Sequence, residues 1–75
     1  MITAEEIQRL ILSRLPGARV GVRDMTGSAD HWEIEVVSVQ FAGKPLIEQH
    51  KILHEILDAE MKDRIHAVKF RTRAA

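Results

Sequence analysis

The chain has no cysteine. Small secreted domains lean on disulfides because a short chain builds only a small core, so this absence points to a reducing, cytoplasmic setting. Net charge is missing too, since eleven Lys and Arg residues balance eleven Asp and Glu residues. A neutral chain has no long-range field to gather phosphate polyanions, which removes one support for non-specific nucleic-acid binding. Aromatic residues are scarce: Trp32, Phe41 and Phe70 are all there are, and at least two belong to core-like patterns. No apolar run approaches the ~20 residues of a membrane-spanning helix. Residues 1–15 do not read as a secretory signal, because Glu5, Glu6, Arg9 and Arg14 interrupt the apolar positions. With 75 residues a deep enzyme pocket is hard to build, so a single domain over 1–75 acting as a binding or adaptor module is the expectation.

What is present has clear periodicity. Thr3 and Glu6 have the spacing of a capping box, Ile2 and Ile7 that of a hydrophobic staple, and Ile7, Leu10, Ile11 and Leu15 recur at helical intervals until Pro16-Gly17. Residues 18–24 alternate, with Ala18, Val20 and Val22 on one side and Arg19, Gly21 and Arg23 on the other. A turn through residues 25–30 leads to a second strand, with Trp32, Ile34 and Val36 against His31, Glu33 and Glu35. After Val36 the parity changes to Val37, Val39 and Phe41, which predicts a bulge or bend. Pro45 suits a helix start. Residues 46–62 then carry Leu46, Leu53, Ile56, Leu57 and Met61 on one side, as one helix or two short ones. A last strand over about 65–73 sets His66, Val68 and Phe70 against Ala67, Lys69, Arg71 and Arg73. The order is α-β-β-α-α-β in the α+β class, a three-stranded mixed sheet with helices on one face.

A short turn pairs the first two strands antiparallel, and a helical crossover makes the second and third parallel. If those two are neighbours, His31 and His66 begin adjacent strands at one end, with backbones ~5 Å apart. Strict alternation sends His31 to solvent and His66 to the core side, unless the strand ends relax the rule. On the open side, Glu33 and Glu35 would stand between Arg19 and Arg23 and between Lys69 and Arg71, a self-neutralising face.

Three segments, Val36-Val37-Ser38-Val39-Gln40-Phe41-Ala42-Gly43-Lys44-Pro45-Leu46, Gln49-His50-Lys51 and Arg64-Ile65-His66-Ala67-Val68, together resemble the signature of BolA-like proteins, nearest to the short bacterial branch. The resemblance implies a fold similar to the class II KH domain. It also implies partnership with a monothiol glutaredoxin, whose cysteine and glutathione hold a bridging 2Fe–2S cluster that the isolated chain lacks. In such heterodimers the C-terminal histidine, here His66, is one iron ligand. A second ligand, Cys or His, comes from the turn between the first two strands. Ser28 stands where that Cys would be, and the turn is too short for the longer His-bearing form, so His31 is the nearest substitute. Imidazole is a good iron ligand and a serine hydroxyl a poor one.

Ser28, Lys44 and Arg64 are further candidates for partner contact. His50 reads as a packing residue or a hydrogen-bond donor to the loop near Gly43, and His54 as a surface residue. The i, i+4 spacing of these two resembles zinc helices, but no third ligand accompanies them. Gly43 is expected at positive φ. Ser13, Ser28 and Ser38 have no base nearby, so no nucleophilic triad and no catalytic residue is expected. The alternative reading is a nucleic-acid-binding transcriptional regulator built on the KH-like fold. It lacks the Gly-x-x-Gly clamp between helices and the exposed aromatics that stack bases. Alone, the chain is expected to be a monomer or weak homodimer, with no membrane contact.

Overall fold

A computed structural model describes residues 2–27 and 31–75. Helix α1 spans Ala4–Arg14, strand β1 Arg19–Asp24, strand β2 His31–Ser38, helix α2 Leu46–Met61 and strand β3 Ala67–Ala74, with a 3-10 turn at Val39–Phe41. The sheet order is β1-β2-β3, antiparallel for the first pair and parallel for the second.

Local chemistry accounts for the ends of α1. Thr3 Oγ1 accepts from the Glu6 N–H at 3.1 Å, and the staple residues Ile2 and Ile7 are both buried. Beneath the helices, Trp32, Ile34 and Val36 of β2 meet Ile7 and Ile11 of α1, Leu15 at its C-cap, Leu53 and Leu57 of α2, and Phe70 of β3 in one apolar cluster. The region expected as one helix or two short ones forms one continuous helix, Leu46–Met61.

The 3-10 turn is the form taken by the expected bulge or bend. The β1–β2 register runs unbroken from Asp24↔Trp32 to Arg19↔Val37, and Val37 keeps its place in the alternation. The change of parity arises afterwards, where the Ser38 side chain accepts from the Gln40 N–H at 3.1 Å and the chain tightens. Three residues per turn swing Phe41 fully into the core and leave Val39 69% exposed. Leu46, assigned to the buried side of α2, is instead exposed, because the first turn of that helix projects beyond the sheet-packed region. Gly43 does adopt positive φ, at 76°, where the chain reverses into α2.

Phe41→Ala should destabilise the fold by about 3–5 kcal/mol, whereas Val39→Ala should stay within about 0.5 kcal/mol, as read by urea unfolding. Equal costs would indicate that the strand continues past Ser38 with both residues half-buried.

Candidate functional site

The crossover places two histidines at one end of the sheet. His31 is the first residue of β2, and its Cα partner across the parallel pair is Ala67. His66 therefore precedes the strand by one residue, outside the ladder, and pleat alternation does not bind it. Both histidines are exposed. With adjacent strands about 4.8 Å apart and consecutive Cα atoms about 3.8 Å apart, the two backbones stand within about 9 Å. Beside them a shallow hollow of ≈ 160 Å³ is lined by Met25, His31, Trp32, Ala67, Val68 and Lys69. Trp32 is 3% exposed, and its indole Nε1 has no hydrogen-bond partner. An orphaned buried donor of this kind costs roughly 1–3 kcal/mol.

Among the described residues no group of three or more His, Cys, Asp or Glu side chains could hold an ion. Ser28 lies outside the described residues.

The other two candidate contacts are placed elsewhere. Lys44 is exposed in the loop after β2, at the opposite end of that eight-residue strand, so roughly 25 Å of strand separates it from His31. Its backbone carbonyl accepts from Gln49 Nε2 at 2.9 Å, so Gln49 makes the loop bond considered for His50. Arg64 is engaged within the molecule. It donates to Glu60 at 2.6–2.9 Å and to Glu6 at 3.1 Å, tying the C-terminal end of α2 to the first turn of α1. A hollow of ≈ 300 Å³ along this clamp is larger than the one at the histidines, but its walls, Glu6, Glu60 and Arg64 among them, are occupied with one another. His50 and His54 both set their rings edge-on to Phe70, at 5.9 and 5.0 Å between centroids, so His54 packs as well.

The sequence pattern could not have shown the Glu6–Arg64 contact, which joins positions 58 residues apart. The open sheet face also differs from expectation. Arg19 faces Val37 and not a glutamate, Gly21 faces Glu35, and Arg73 adds a further cation opposite Val37. Of the expected pairs only Arg23–Glu33 closes, at 3.1 Å. The face therefore carries Arg19, Arg23, Lys69, Arg71 and Arg73 against Glu33 and Glu35 alone, because register puts Val37, not a carboxylate, between Arg19 and Arg73.

A mixed three-stranded sheet with its helices on one face and an exposed histidine before the last strand defines a small α+β domain. The chain belongs to the BolA-like family, whose profile "BolA-like protein" matches residues 13–75. It is 38% identical over 72 residues to Protein BOLA2 of Arabidopsis thaliana, covering 95% of this chain and 76% of that one. It is 30% identical over 71 residues to the uncharacterized protein RP812 of Rickettsia prowazekii, covering 95% and 92%. Among solved structures, BolA1 from Arabidopsis thaliana superposes with a TM-score of 0.87 at 18% identity, over 99% of this chain and 94% of that chain. Yeast Fra2 superposes with a TM-score of 0.80 at 23% identity, over 97% and 80%, and at these identities both show the fold alone. The arrangement is compatible with the KH-like description. Among the described residues no helix is long and apolar enough to cross a membrane.

Partial burial pushes the Glu6 carboxyl up, but the hydrogen bond and charge of Arg64 outweigh this and hold it below the ordinary glutamate range. The hydrogen bonds it donates to Glu60 hold the Arg64 guanidinium above its ordinary value. A depressed carboxylate contributes stability above its unfolded value and loses it as pH falls through the folded value. Glu6→Gln should lower the melting temperature at neutral pH and flatten the fall of stability on acidification. An acid limb identical to that of the wild type would show that the clamp contributes nothing.

Proposed function

We propose that this chain is a non-enzymatic adaptor that binds a monothiol glutaredoxin and co-ligates a bridging 2Fe–2S cluster, in iron–sulfur trafficking or iron regulation in the cytoplasm. The observation that carries the reading is the exposed His66, one residue before the Cα partner of an equally exposed His31. Membership of the BolA-like family supports it, because that resemblance assigns the C-terminal histidine to iron. Imidazole coordinates iron as the neutral base, and both rings are presented at the surface, where a second protein can complete the ligand set. His66 is the first ligand and His31 the second. When bound, the cluster supplies redox and iron-donating chemistry. The protein's part is to hold two nitrogen donors at the starts of neighbouring strands, beside a hollow a partner can cover.

The nucleic-acid alternative has less behind it. Trp32, Phe41 and Phe70 are all buried, which removes the platforms on which bases stack. The loop between the 3-10 turn and α2 reads Ala42-Gly43-Lys44-Pro45, without the Gly-x-x-Gly clamp.

Mixing the protein with cluster-loaded monothiol glutaredoxin should change the visible absorption and circular dichroism as a mixed species forms. His66→Ala should abolish the change, and His31→Ala should weaken it by about tenfold in the required protein concentration, as expected for loss of about 1.4 kcal/mol. An unchanged wild-type spectrum, or the same change with His66→Ala, would overturn the assignment.

A further inference from the structure

The hollow at the histidines takes only Ala67, Val68 and Lys69 from β3, and the outer edge of the strand continues past it to Ala74. β3 pairs only with β2, so along eight residues it offers backbone donors and acceptors on the side facing away from the sheet. Three alternate residues of this edge strand, Lys69, Arg71 and Arg73, stand exposed on the open face. Their neighbours on β2 are Glu33, Glu35 and Val37. Glu33 already pairs with Arg23, and none of the three β3 cations joins an ion pair among the described residues. A hollow of ≈ 220 Å³ opens among Glu35, Arg71, Thr72 and Arg73.

We propose that the outer edge of β3 is a docking strand for an extended acidic segment of a protein partner. The segment would add as a fourth strand, with a carboxylate at every second residue. Two periodicities of the strand favour such an occupant. The backbone edge asks for alternating carbonyls and amides, which an extended peptide supplies. Phosphates offer acceptors only and would leave the outward carbonyls of β3 unmet. The side chains repeat every second residue, and side chains opposite one another in adjacent strands stand about 4.5–5.5 Å apart, so acids in the same period meet Lys69, Arg71 and Arg73 in turn.

A second copy of the chain does not fit. Pairing β3 with another β3 sets cation rows side by side, and pairing it with another β1 brings up Arg19 and Arg23. Like charges directly opposite are destabilising, and charged edges are a recognised protection against self-association. The only strand of this chain with acids in the required alternation is β2, and both of its edges are already paired. The occupant therefore comes from another protein.

The test uses the whole chain without iron, so it stands or falls apart from the cluster reading. A fluorescent peptide of alternating glutamate and threonine is titrated by anisotropy, with hydrogen exchange recorded on the β3 amides. Binding with new protection of outward-facing β3 amides is expected. Lys69→Glu, Arg71→Glu and Arg73→Glu should each weaken it by about three- to tenfold, as an attraction becomes a repulsion. Lys51→Glu, on the exposed side of α2, should leave it unchanged. The triple reversal should instead bind a lysine–threonine peptide, a rescue that a misfolded variant would not give. Equal binding of a peptide with the same composition but its glutamates in one block, unaltered β3 exchange, or equal competition by single-stranded DNA of the same charge would each overturn the proposal.

Discussion

The parallel pairing of β2 with β3 is the constraint on which the other features depend. Because two parallel neighbours need a crossover, α2 must run back along the sheet, and it covers one face as it does so. The same pairing makes β2 the central strand, with Trp32, Ile34 and Val36 turned beneath the helices and Glu33 and Glu35 turned to water. It brings the starts of both strands to one end, which sets His31 beside Ala67 and leaves His66 just outside the ladder. It also makes β3 an outer strand. The histidine pair and the exposed cationic edge are thus two consequences of one topological choice.

Charge is distributed by the same geometry. The chain is neutral as a whole, yet the open face of the sheet holds an excess of cations because Arg19 and Arg73 both flank Val37. On the other side, Glu6, Glu60 and Arg64 join the two helices. Arg64 precedes His66 by two residues, so the clamp that ties α2 to α1 also anchors the segment carrying that histidine. Net charge describes steering at long range, whereas contact is governed by which side chains the register sets abreast.

The sequence made α1 legible down to its cap, since Thr3, Glu6, Ile2 and Ile7 act within a single turn and need no distant partner. Both short strands showed in their alternation, and the family signature in contiguous residues such as Ile65-His66-Ala67. The parity change after Val36 is common to a bulge and a bend, and only the bond from the Gln40 N–H to the Ser38 side chain shows that a 3-10 turn makes it. Leu46 was misplaced because helical spacing shows which residues share a side, not how far along the helix its packing extends. The role of Gln49 was missed for a related reason, as its bond to the Lys44 carbonyl depends on the exact turn of the preceding loop.

By itself the amino-acid order determined the local elements, the mixed α+β class, and His66 as the residue to watch, because periodicity, capping and short motifs act between near neighbours in the chain. Tertiary structure alone decided that Arg64 is held by Glu6, that Arg19 faces Val37, and that His66 lies outside the pleat of β3. Those outcomes depend on register and on where a strand begins. A one-residue slip would exchange the faces of every side chain while leaving the composition and the pattern unchanged.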